Sequence, residues 1–343
     1  MKRWYTAVLA GLYLLLGGCS AFSLPRGEEP GGAVLLSVLG VRQAGRRVDL
    51  TAVSQGKEGA SPVLCQGQGE SIAGAVQVIR SQGRQPVSWA HVEHILLDDR
   101  AVESQLGQIL SWSFQDQEQS TETNLWILKG ASTQDVFAGE GDLATQLDTL
   151  KKGALAGENL PLRSLRELSA QMTLEGCVLI PTLEWDGEGV NLTGYAVCQE
   201  DRLVGYLTGE TARGAAILAG ERLTWPVMAD GRALEVETGR CSVRARWEAG
   251  DLVGIEVDCE VEGRLTQSWA REDREGLEKS LATQLADTLE KTAAQLQAWG
   301  VDGPGVCRRA GLAAPWRWNA LKDQWQACFS QLDWQFQVDA NLI

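Results

Sequence analysis

Residues 272–299 read EDREGLEKSLATQLADTLEKTAAQLQAW, and residues 332–343 read LDWQFQVDANLI. In the first stretch Leu277, Leu281, Leu285, Leu289 and Leu296 fall on one helical face, which predicts a long amphipathic helix stopped by Gly300. In the second, Trp334, Phe336, Val338, Ala340 and Leu342 alternate with Gln335, Gln337, Asp339 and Asn341, the period of a half-buried strand. A leucine stripe and an alternating face can bury each other. We therefore expect the helix to lie across a sheet that the terminal strand completes. Further alternation at 233–247 and 252–265 supplies the rest of an antiparallel-rich sheet. Together these stretches define a C-terminal α+β domain, residues 191–343.

Working outward, strand-like segments stand at 191–198 and 203–207, and residues 186–190, with Gly187 and Gly189, form a turn or domain boundary. Before it, residues 33–187 read as an N-terminal α+β domain. The apolar run Ala33 to Val41 is a buried strand, with Arg47 to Val53 as its hairpin partner and Gln43 to Arg46 as the turn. Ser71 is placed to cap a helix whose buried face holds Ile72, Ala75, Val76 and Ile79 and whose stop is Gly83. His91 to Leu97 reads as a strand, Asp99 to Trp112 as a helix, Asn124 to Lys129 as a strand, and Ser132-Thr133 as a second cap. Residues 141–173 carry helical periodicity in two pieces, the second opened by Pro161 as a first-turn proline. Gly176 to Trp185 is a strand. Strands and helices interleave irregularly and no repeat recurs at a fixed period, so the expected fold is α+β, multi-domain, with mixed sheets and packed helices.

The N-terminus has a different character. Lys2 and Arg3 precede the apolar run Trp4 to Leu16, thirteen residues long, which is too short to span a bilayer but fits a signal-peptide core. The run ends in Leu16-Gly17-Gly18-Cys19, small residues before a cysteine whose thiol can take diacylglycerol. Residues 1–18 are thus expected to be a lipoprotein signal peptide, Cys19 the lipid attachment residue, and 19–32 a Pro/Gly-rich tether. Removing 1–18 leaves 29 cationic against 45 acidic residues, a charge of −16. Such a body is a poor nucleic-acid binder and is repelled by anionic headgroups. The anchor, not the surface, would hold it at the bilayer. Seven cysteines remain, an odd number without CxxC spacing. They read as buried free thiols; export leaves disulfides open, and the spacing argues against zinc.

Little else carries chemistry. Gly69-Glu70-Ser71-Ile72-Ala73 has the outline of a nucleophile elbow, but that motif needs a later acid and a final histidine. The chain has only His91 and His94. On a strand these two point to opposite faces, which disfavours a metal site. Asp98 and Asp99 read as a solvated turn without a third ligand. Asn191-Leu192-Thr193 is a formal sequon of no evident consequence, and Trp316, Trp318, Trp325 and Trp334 read as core. The residues point to a non-enzymatic protein with no catalytic, cofactor or metal site.

Several stretches nevertheless resemble one family in order. Gly67-Gln68-Gly69-Glu70-Ser71 leading into Ala75, His91 followed by Ile95-Leu96-Leu97 and Ala101, and Lys129-Gly130-Ala131 come first. The sharpest piece is Leu203-Val204-Gly205-Tyr206-Leu207-Thr208-Gly209-Glu210-Thr211-Ala212-Arg213-Gly214, and Pro315-Trp316-Arg317-Trp318 with Trp325 closes the series. The chain resembles the Ger(x)C family, the lipoprotein C subunits of spore nutrient-germinant receptors. It departs from the family at Val41-Arg42-Gln43, where an Asp-containing turn is usual, and at Gln115, where an arginine is. The resemblance implies a non-catalytic germination subunit on the outer face of the spore inner membrane, partnered by A and B membrane subunits and by the bilayer through Cys19. The alternative is an extracytoplasmic solute-binding lipoprotein of a transporter. Against it stands the lack of repeated βα units.

Overall fold

The computed structural model describes residues 33–54, 62–82, 86–139, 141–249, 251–265, 274–312, 315–321 and 325–343. Residues 1–32, with Cys19, and the expected stops and starts at Gly83 and Glu272 lie outside the described residues.

The hairpin of β1 (Val34–Ala44) and β2 (Arg47–Ser54) forms as expected, although pairing continues to Ala44 opposite Arg47, so the turn is tighter than 43–46. Next come β3 (Leu64–Gly69), α1 (Ile72–Ser81) and a short β4 (Val87–Ser88). The Ser71 hydroxyl accepts from Gly74 N at 3.1 Å, and α1 buries Ile72, Ala75, Val76 and Ile79, the expected face. Strand β5 (His94–Asp98) leads through a single 3₁₀ turn into α2 (Val102–Gln115). β6 (Asn124–Lys129) and β7 (Cys177–Trp185) are joined through α3 (Thr133–Ala138), α4 (Leu143–Leu155) and α5 (Leu165–Glu175). β8 (Val190–Gln199) and β9 (Arg202–Thr208) complete a mixed sheet of order β3-β2-β1-β5-β6-β7-β8-β9, with β4 paired to β1. Its centre, β1-β5-β6-β7, is parallel and its flanks antiparallel.

After α6 (Gly209–Leu218), the strands β10 (Thr224–Ala229), β11 (Arg232–Glu248) and β12 (Asp251–Leu265) form an antiparallel run. The long helix α7 (Arg274–Trp299) and short helices α8 (Val306–Leu312), α9 (Pro315–Leu321) and α10 (Trp325–Phe329) follow. β13 (Asp333–Leu342) returns parallel to β12 and completes a sheet of order β10-β11-β12-β13. α7 buries Leu277, Leu281, Leu285, Leu289 and Leu296 in a core shared with the half-buried Trp334, Phe336, Val338 and Ala340 of β13. Gly300, at φ +68°, ends the helix.

The boundary expected at 187–191 falls in the turn between β7 and β8, which pair antiparallel, so the first sheet runs across it. Three local expectations are corrected. His91 sits exposed in a turn before β5 rather than on the strand. Pro161 does not open α5: Ser164 caps it, reciprocally bonded with Glu167, and this capping box starts the helix at Leu165, four residues later. Trp316 is 74% exposed and stands apart from the packed aromatics, whereas Trp325 is buried and Trp318 and Trp334 are partly so. These three, with Phe329, make a run of ring contacts at centroid distances of 5.5, 6.0 and 6.1 Å.

Candidate functional site

Ligands in open sheets with parallel strands tend to bind outside the carboxyl ends of those strands. Here that edge holds a recess of about 270 Å³ lined by Arg42 and Gln43 from β1, Asp98 at the end of β5, Asp99 and Arg100 just after it, and Ser132 with Asp135 at the start of α3. The expectation of a solvated acid turn is corrected at Asp98, which is buried. Its Oδ1 accepts from Thr133 N at 2.7 Å, and burial raises the carboxyl to about 6 against the opposing pull of that bond. Asp99 Oδ2 accepts from Gly130 N at 3.1 Å and from the Tyr206 hydroxyl at 3.4 Å. Arg42 pairs with Asp49, while Gln43 Oε1 accepts from Ser104 Oγ at 3.1 Å and Gln105 Nε2 at 2.5 Å. Thus Arg42 and Gln43 are tied into the rim. The recess offers mixed charge and hydrogen bonding; Ser132 Oγ donates to Asp135 Oδ2 at 2.7 Å within the capping box that starts α3.

At the opposite end of the parallel strands, Glu93, His94 and Asp148 bring three potential metal ligands within 4.8 Å of one another. The hydrogen bonds decide what that cluster can do. Trp126 Nε1 is only a donor, and it lies 3.2 Å from His94 Nδ1. The ring proton must therefore sit on Nε2, which donates to Asp148 Oδ1 at 3.1 Å. Glu93 is paired with Lys151 at 2.8 Å. A cation would have to displace the Nε2 proton and the lysine together. Burial lowers the His94 pKa, outweighing the Asp148 hydrogen bond, so the cluster favours a neutral, structural imidazole. Nothing in the sequence joins Asp148 to a histidine 54 positions away; only the packing of α4, which carries Asp148, against the sheet that carries His94 does.

The sharpest motif, Leu203 to Gly214, spans β9 and the start of α6. Its glycines have a steric reason. A Cβ at Gly205 would lie 2.5 Å from Trp299 Cζ2, and one at Gly214 would lie 2.2 Å from Thr292 Oγ1. Both are therefore needed for β9 and α6 to seat against α7. A groove of about 320 Å³ runs between α6, β10 and α7, with Arg213, Trp225, Met228, Leu285 and Lys291 on its walls.

Two family models tile most of the chain. The one described as "Spore germination protein N-terminal domain" matches residues 45–184, and the one described as "Spore germination B3/ GerAC like, C-terminal" matches residues 193–343. The gap between them is the β7–β8 turn region. A structure titled "Crystal Structure of the GerBC protein" aligns with a TM-score of 0.62 at 18% identity, covering 89% of this chain and 96% of that one, and shares its fold. A central domain of yeast acetyl-CoA carboxylase aligns with a TM-score of only 0.18 at 13% identity, over 75% of this chain and 35% of that one. No individually curated protein sequence matches.

Proposed function

Because the chain belongs to the Ger(x)C family of spore germination proteins, we propose that it is the lipid-anchored C subunit of a nutrient-germinant receptor. The observation that carries this reading is the consecutive match of both germination domains along one chain that keeps the GerBC fold almost end to end. The anchor is Cys19, supported by the basic n-region, the short apolar run and Leu16-Gly17-Gly18 before it. No described helix is long and apolar enough to cross a membrane; in the proposed arrangement the lipid on Cys19 holds the chain at the bilayer. On this reading the body lies on the outer face of the spore inner membrane beside A and B subunits.

Its role is assembly rather than catalysis. Ser71, the one serine with an elbow-like context, spends its hydroxyl on a helix cap. Both ring nitrogens of His94 are committed to Trp126 and Asp148. The experiment is Cys19→Ala in the native host. We expect loss of lipidation, release from the inner-membrane fraction and loss of co-purification with A and B subunits. An unmodified mature N-terminus at Ser20 or beyond in the parent protein overturns the anchor, and a parent that never co-purifies with those subunits overturns the receptor reading.

A further inference from the structure

Cysteines 241 and 259 stand directly opposite each other on β11 and β12. Opposed residues of an antiparallel pair have Cα atoms about 4.5 or 5.5 Å apart, depending on the hydrogen-bonding position. Both values fall within the roughly 4.4–6.8 Å that a disulfide spans. The pair follows a register shift between Thr238 and Cys241, and Cys241 is half-buried while Cys259 is buried. Arg309 of α8 donates through Nη2 to the Cys241 carbonyl at 2.7 Å and through Nη1 to the Leu218 carbonyl. One thiol is therefore reachable, the second is its cross-strand neighbour, and a fixed guanidinium lies beside them. Another pair of buried thiols, Cys177 and Cys307, lacks the reachable member, and Cys177 Sγ already donates to the Asp302 carbonyl at 3.1 Å.

We infer that Cys241 and Cys259 are a redox pair that closes into a disulfide stapling the β11–β12 hairpin, with a small-molecule disulfide as the oxidant. The thiol of Cys259 hydrogen-bonds Cys241 and holds its pKa below the ordinary cysteine value, with Arg309 acting in the same direction. Cys241 is thus the attacking thiolate. It bonds to one sulfur of the oxidant, and the other sulfur leaves as a thiolate. The pKa of Cys259 is held up chiefly by its hydrogen bond to Cys241 and by burial. Once Cys241 is in the mixed disulfide its negative charge is gone. Cys259 then loses its proton, attacks Cys241 Sγ and expels the second thiolate. Two thiol protons are released, and two electrons pass to the oxidant.

The test uses the full reduced chain treated with oxidised glutathione, alkylated and digested with trypsin. Cleavage after Arg240, Arg244, Arg246 and Arg264 puts the two cysteines on separate peptides, 241–244 and 247–264. We expect these to be recovered joined, and the oxidised protein to melt several degrees higher than the reduced one, as closing a loop in the unfolded chain predicts (roughly 2–4 °C per kcal/mol in a domain of this size). In Cys259→Ser, peptide 241–244 should instead carry glutathione and the melting gain should vanish; Cys241→Ser should show neither linkage nor adduct. The inference is overturned if both peptides of the parent are recovered separately alkylated, if Cys241 of the parent stops at the glutathione adduct, or if linkage leaves the melting temperature unchanged.

Discussion

The two sheets are covered differently. In the first, every residue of β5 from His94 to Asp98 and of β6 from Asn124 to Leu128 is buried. Ile95, Leu97, Leu125 and Ile127 share a core with α1, α2 and α5, while Leu96, Trp126 and Leu128 pack on the other face with Val136 of α3 and Leu143 and Leu147 of α4. In the second sheet one face lies under α7, and the other shows Glu235, Glu237, Glu260, Glu262, Gln335 and Gln337 to solvent. Two-sided burial erases the alternation that one-sided burial writes. The central strands therefore appear in the sequence as short apolar runs, and β11 to β13 as alternating ones.

The sharpest way to break this comparison is a matched pair of core truncations. Leu97 has no exposed surface and filled layers around it, whereas Leu285 is 4% exposed and borders the groove between α6, β10 and α7. Leucine-to-alanine changes in cores cost about 2–5 kcal/mol, least where the surroundings can collapse into the space. We expect Leu97→Ala toward the upper part of that range and Leu285→Ala near about 2 kcal/mol, with Gln284→Ala within about 0.5 kcal/mol. Urea titration of the three variants measures this. A Leu285→Ala loss equal to that of Leu97→Ala would mean that the second core is as tightly enclosed as the first.

The same contrast explains what was legible. The alternating C-terminal strand, the leucine stripe and the strand at 124–129 could be read because each pattern is local. Ser71 and Ser132 were readable as caps for the same reason. His91 was misplaced because an apolar run does not mark where pairing begins, and β5 starts only at His94. Pro161 misled because a reciprocal Ser164–Glu167 cap outweighs a proline's fixed φ. Sheet order was beyond reach: β1 lies beside β5 and β6 beside β7 through contacts distant in sequence. That order also turns Asp98 from an exposed acid into a buried one, and the packing of α4 on the sheet brings Asp148 to His94.

A middle-sized effect sharpens the comparison through pH. Burial raises Asp98 in the first region and Asp302 in the second to about 6 from 3.8. Asp302 accepts from both Val306 N and Cys307 N, so an asparagine there would leave one donor unmet. Asp98 accepts one backbone N–H, and Asp98→Asn preserves that bond. A folded carboxyl that keeps its proton above the unfolded value is destabilising when ionised. That cost is absent below about pH 4, grows as pH rises and is complete above about pH 6. Lowering pH from 7 to 5 should therefore favour the parent over Asp98→Asn by about 1 kcal/mol. The lowered pKa of His94 acts in the opposite sense, since stability falls as pH drops below 6.5 and the unfolded ring takes the proton first. It is common to both proteins and cancels in the difference. Denaturant midpoints at the two pH values measure it, and equal pH dependence in parent and variant would refute the assignment.

The smallest effect tests whether the outer face of the second sheet is open. On β13, Val338 is half-buried toward the core under α7, and Gln337, opposite Asp258, is exposed on the other face. Removing two carbons from a half-buried valine forfeits part of the roughly 0.8 kcal/mol carried by each buried CH₂-sized group, so Val338→Ala should cost about 1 kcal/mol. Gln337→Ala removes no packing and should stay within about 0.5 kcal/mol of the parent. Melting at two protein concentrations separates an isolated chain from an associating one, because binding of the folded form makes the midpoint depend on concentration. Equal, concentration-independent losses at both positions would place Gln337 in a packed layer and remove the distinction between the sheets. A Gln337→Ala loss that appears only at the higher concentration would instead make this face a contact between copies, leaving the one-sided burial of the single chain intact.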